Sequence, residues 1–181
     1  MFKKNWILAV AFVLAVPALS IAQEKQKWDP SSINTVSDCT LPTTPPNLVA
    51  NCTFQLAPDF VNWTNGGDPS FTAVVPGCGH RGTNCASMGQ VNYNGTLTQG
   101  PLGNFGQTCT LSFWLDNSGQ PSRFSVEWSA KTVFLQDSVP NFFPAQQFSV
   151  SSLPGGGTLT FTFYNPPSFM HLSDVAVTCL P

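Results

Sequence analysis

The stretch TLTFTFY, residues 158–164, decides how the chain is read. Leu159, Phe161 and Phe163 alternate with threonines at 158, 160 and 162, so an extended segment here is apolar on one side and polar on the other. Successive side chains of a strand point to opposite faces, and this pattern marks an antiparallel strand with one face on a core and one toward water. The period recurs in CTLSFWL, where Cys109, Leu111, Phe113 and Leu115 oppose Thr110, Ser112 and Trp114. It recurs again in RFSVEW, where Phe124, Val126 and Trp128 oppose Arg123, Ser125 and Glu127. Beyond the first 22 residues no run shows a three-to-four-residue apolar period, and Pro, Gly, Ser and Thr interrupt too often for long helices. About ten short strands without crossover helices imply an all-β chain of two stacked antiparallel sheets or a barrel. Asn94-Gly95 reads as a two-residue hairpin turn, and LDNSGQPSRF, PNFFPAQQF and SLPGGGTL read as further turns or loops. Asp59 to Ser87 is poor in strand pattern and is expected to form a long loop region over one end.

Residues 1–22 carry two lysines, an apolar run from Trp6 to Ala18 broken by Pro17, and small residues at Ser20 and Ala22. These are the parts of a secretory signal peptide cleaved after Ala22, which leaves no membrane span in the product. An irregular arm at 23–46, held by Cys39, is expected to precede a single β-sandwich domain at 47–181. The expected location is secreted, periplasmic or at the cell surface. Loss of Lys3 and Lys4 leaves five basic against nine acidic side chains, a formal charge of −4. So few cations exclude nucleic acid as a partner, because phosphates require clustered Lys and Arg. Fifteen phenylalanines and five tryptophans exclude disorder.

All six cysteines follow residue 22, and an even count in an exported chain reads as three disulfides with fifteen possible pairings. Cys78 and Cys85 bracket GHRGTN and form the firmest pair. Cys109 and Cys179 share the apolar phase of their strands, which joins them, and Cys39 with Cys52 is then left over; a Cys52–Cys109 bond would overturn both of the latter. No cysteine spacing resembles a zinc knuckle.

Taken in order, NLVANCTFQ (47–55), FVNW (60–63), NYNGTLTQ (92–99), CTLSFWLDNSG (109–119), RFSVEWSAKTVF (123–134) and LTFTFYNPPSFMHLSDVAVT (159–178) resemble a known fold family. It is that of the galactose-binding-like jelly rolls of exported bacterial proteins, including many with a PEP-CTERM sorting tail. The set is more distantly similar to carbohydrate-binding modules. The sequence closes at TCLP without such a tail, so anchoring by that route is not implied. In the family, an Asn-Gly-x-Phe-Glu pattern and a late Asp-Asp-Val pattern hold a structural calcium ion. Here Asn51, Phe54 and Asp174 match, while Cys52, Gln55 and Ser173 depart. The resemblance therefore implies at most a weakened calcium site on Gln55 and Asp174, with no certain cofactor.

The resemblance further implies a non-catalytic binding module. A protein surface takes a sugar by laying an aromatic ring against its apolar face while amides and hydroxyls meet its hydroxyl groups. Among aromatics off the strand cores (Trp63, Tyr93, Trp114, Phe142, Phe143, Tyr164, Phe169) and His171, the ligand candidates are Trp63, Tyr93, Trp114, Phe169 and His171. Phe142 and Phe143 read as a plug under a loop. Pro166 and Pro167 end a strand after Asn165, so that Phe169 and Leu172 are expected to pack beneath a corner while His171 points elsewhere. With His80 and His171 the only imidazoles and no Gly-x-Ser-x-Gly elbow, a hydrolytic triad is not expected. The partner is expected to be a glycan or another extracellular protein, and self-assembly through Thr-rich faces is the third reading.

Overall fold

A computed structural model describes Cys39 and residues 44–117, 119, 122–137, 142–166 and 168–181. The expected signal peptide and most of the expected arm lie outside the described residues. Ten strands follow in chain order: β1 Thr64–Gly66, β2 Thr72–Val75, β3 Cys85–Met88, β4 Gly95–Leu102, β5 Thr108–Asn117, β6 Arg123–Trp128, β7 Lys131–Asp137, β8 Phe142–Pro154, β9 Gly157–Tyr164 and β10 Met170–Leu180. They form two five-stranded antiparallel sheets, β1-β4-β9-β6-β7 and β2-β3-β10-β5-β8, stacked as a jelly-roll sandwich.

The apolar rows read from the sequence are the facing layers. Leu111, Phe113 and Leu115 of β5, Phe124 and Val126 of β6, and Leu159, Phe161 and Phe163 of β9 are fully buried. Phe113 is the hub, its ring centroid 5.4–5.7 Å from those of Phe124, Phe134 and Phe161 in the first sheet and Phe148 in its own. Such tilted and edge contacts add attraction beyond the area they bury.

Residues 47–63 are tied down beside β10 rather than looping free. Leu48 N donates to Val177 O at 2.9 Å, Val175 N donates to Cys52 O at 3.1 Å, and Asn47 Oδ1 accepts from Val49 N and Val177 N. Three disulfides, Cys39–Cys52, Cys78–Cys85 and Cys109–Cys179, complete the tie, and among the described residues no cysteine is free. Cys109 and Cys179 are direct cross-strand partners on β5 and β10. By the chain-entropy estimate, their closure contributes about 4 kcal/mol, against about 2.5 kcal/mol for Cys78–Cys85. Three disulfides fit an oxidising, extracytoplasmic compartment. Among the described residues no helix is long and apolar enough to cross a membrane.

Three expectations are corrected. Asn94-Gly95 is not a hairpin turn: Gly95 opens β4, and the preceding β3 lies in the other sheet. The span 59–87 is not one long loop, because β1, β2 and β3 begin within it. Phe143 is no plug, being 83% exposed; the Phe142 side chain falls outside the described set. The two-residue hairpin turn joins β6 to β7 instead, at Ser129-Ala130, with Trp128 paired to Lys131. Both turn residues have positive φ, 51° and 63°. That is the backbone of a type I′ turn, built here without Asn or Gly.

Two measurements check this architecture. Phe113→Ala should lower unfolding free energy by about 3–5 kcal/mol, read from the urea midpoint. Ala130→Gly should raise stability by roughly 0.5–1 kcal/mol, because φ near 63° strains an alanine and costs a glycine nothing.

Candidate functional site

The inward rows leave the alternate residues on the outer faces, and each outer face carries a polar cluster. On the first sheet, β6 presents Arg123, Ser125 and Glu127, flanked by β9 and β7. Register sets Arg123 between Tyr164 and Asp137, Ser125 between Thr162 and Leu135, and Glu127 between Thr160 and Thr132. A bulge between Val126 and Glu127 breaks the regular surface. The result is a groove of about 160 Å³ lined by Asn94, Arg123, Ser125, Glu127, Thr132, Leu135, Thr162, Phe163 and Tyr164. Its floor is a strand rather than a loop, so its donors and acceptors are held by the sheet ladder.

On the second sheet, Trp114 projects from β5 beside Asp116. Asp116 Oδ1 meets His171 Nδ1 of β10 at 2.9 Å, with the carboxylate buried and the imidazole about one quarter exposed. The loop closed by Cys78–Cys85 folds over this face. Its His80 N–H donates to Ser173 Oγ at 3.1 Å, and the His80 ring stacks on the Trp114 indole at 3.5 Å with 6° between planes. The buried Gln147 Nε2 on β8 has no hydrogen-bond partner, and Gln147 pairs in register with Trp114. The His80 ring covers one face of the indole.

The five ligand candidates therefore separate. Trp114 and His171 come together, with His80 and Asp116 as neighbours the sequence did not supply. Trp63 is corrected to a core residue: it is buried between Phe54 and Phe161, and its Nε1–H donates to Asn51 O at 3.3 Å. Tyr93 is 70% exposed in the bend before β4, outside the groove lining. Phe169 is 43% exposed and does not pack wholly beneath the corner. Its ring covers Gly89, where a Cβ would lie 2.6 Å from it. Leu172 alone of the expected pair is fully buried.

The calcium positions are not brought into a metal set. Gln55 is exposed, with Oε1 accepting from the Thr53 hydroxyl at 3.1 Å. Asp174 is buried at a β10 bulge with φ 49°; the Thr83 hydroxyl lies 2.9 Å from Oδ2 and the Cys39 sulfur 3.9 Å from Oδ1. Among the described residues no three His, Cys, Asp or Glu side chains gather as metal ligands.

No family model matches the chain, and no curated protein matches it. Solved structures do share its fold. It is similar to TmCBM61, solved with β-1,4-galactotriose, at 14% identity and a TM-score of 0.58, covering 72% of this chain and 97% of that one. It is similar to the K3 cleaved adhesin domain of Lys-gingipain from Porphyromonas gingivalis, at 17% identity and 0.53, covering 65% and 91%. It is also similar to the CBM22-1–GH10 modules of Clostridium thermocellum xylanase 10B, complexed with xylohexaose, at 16% and 0.52, covering 67% of this chain and 27% of that one. At these identities the likeness establishes the fold alone, a two-sheet antiparallel jelly-roll sandwich.

The stacked pair on the second sheet has a direct check. His80→Ala should uncover the Trp114 indole, raising acrylamide quenching of tryptophan emission while the unfolding midpoint falls by no more than a few degrees.

Proposed function

We propose that the chain is a non-catalytic, extracytoplasmic binding module, and that the groove on its first sheet takes a glycan. The observation that carries this reading is the composition of an open groove on a rigid strand floor: one tyrosine ring, one guanidinium, one carboxylate and several hydroxyls. An aromatic plane with fixed donors and acceptors around it is what a pyranose needs. The fold shared with TmCBM61 and with the xylanase modules supports the same reading, since one was solved with β-1,4-galactotriose and the other with xylohexaose. Fold alone is poor warrant for function, and the groove therefore bears the weight.

A second reading rests on β8. It closes the second sheet's strand order, runs for 13 residues, and contains no charged side chain. Edge strands are blunted by charge, brevity, proline or bulges; β8 has Pro144 and two register shifts at its ends, which leaves the neutral stretch 146–150 for pairing with another protein or another copy.

Calorimetric titration with β-1,4-galacto- and xylo-oligosaccharides tests the first reading. Binding is expected, with Tyr164→Ala weakening it about tenfold and Trp114→Ala leaving it unchanged. Absence of binding to either series, or indifference to Tyr164→Ala, would overturn it.

A further inference from the structure

The charges in the groove carry the reading of that site one step further. Only three described residues are Lys or Arg, and Arg123 is the one among them that lines the groove. Glu127 is four residues along the same face of β6, about 13 Å away at the usual strand rise. Neither side chain belongs to an ion pair among the described residues, although Arg123 is the cross-strand partner of Asp137. The groove thus has a cationic end beside Tyr164 and an anionic end beside Thr132, with Ser125 between them.

A guanidinium presents a planar fork of donors that matches a carboxylate in two parallel hydrogen bonds. A carboxylate such as Glu127 does the opposite: it accepts from hydroxyls and repels an anion. A ligand lying along β6 therefore meets attraction at one end and repulsion a few sugar units farther on. A polymer with an acid on every unit would bring a second carboxylate against Glu127. Specificity here comes as much from the repelling group as from the attracting one.

Building on the glycan reading above, we infer that the groove selects a sparsely acidic β-1,4 glycan. One uronate carboxylate is held by Arg123, its ring lies near Tyr164, and neutral sugars run past Ser125 to Glu127. The ligand is neither a neutral homopolymer nor a polyuronate.

Three probes test this by calorimetry on the oxidised protein at low salt: xylotetraose, xylotetraose bearing a single glucuronate, and β-1,4-tetraglucuronate. The singly acidic probe should bind roughly tenfold to a hundredfold more tightly than xylotetraose, the range of one hydrogen-bonded charge pair. Arg123→Gln should remove that preference while leaving the unfolding midpoint in place. Glu127→Gln should improve tetraglucuronate binding severalfold without changing the preference for the singly acidic probe over xylotetraose. Equal affinity for neutral and singly acidic probes, or a preference that survives Arg123→Gln, overturns this inference and leaves the glycan reading standing. Failure of all three probes to bind overturns this inference, and the galacto-oligosaccharide titration then decides the glycan reading.

Discussion

The outward rows of β5, β6 and β9 are positioned by the packing of the Phe113 ring. It sits on a central strand of the second sheet and touches three phenylalanine rings of the first. Cores pack at crystal-like density, so these contacts fix how the two sheets lie on one another. The alternation then leaves no choice for the neighbours. With Phe113 inward, Trp114 faces out; with Phe124 and Val126 inward, Arg123, Ser125 and Glu127 face out along one line. Slipping a strand by one residue would exchange the rows and erase core and groove together.

What was legible in the sequence is what a local pattern can encode. The inward rows of β5, β6 and β9 were visible because the period of two continues through each strand. The Cys109–Cys179 bond was reached from the same phase argument, and the structure pairs the two residues directly in register. What was not legible depends on where the chain goes next. In the described order only β2–β3 and β6–β7 are consecutive strands that pair; the other connections change sheet. A connection between sheets and a hairpin turn use the same residues, so Asn94-Gly95 passed for a hairpin. The true one, Ser129-Ala130, holds positive φ without the residues that usually announce it.

The same limit holds for the site: local sequence shows which residues are aromatic, but exposure is a tertiary property. Trp63 lies in a turn-rich segment that the backbone ties of residues 47–54 pull into the core. Phe169 and Tyr93 sit outside the groove. Arg123 and Glu127 were visible as outward residues of RFSVEW, but nothing local says that β7 and β9 rise beside them to make walls. The scarcity of cations was the available signal: where charge is so sparse, a cation and an anion on one strand face stand out.

The strand order also bears on when the fold can be completed. β9 lies between β4 and β6, and β10 between β3 and β5. Both are central strands, and both come last in the chain. A polypeptide emerging from its amino end therefore lacks the middle of each sheet until residues 157–180 have appeared. Until then it can offer only the two-stranded pairs β1–β4, β6–β7, β2–β3 and β5–β8, with no closed hydrophobic layer. Completion of either sheet therefore waits on long-range pairings made by the last two strands, which makes this a topology of high contact order.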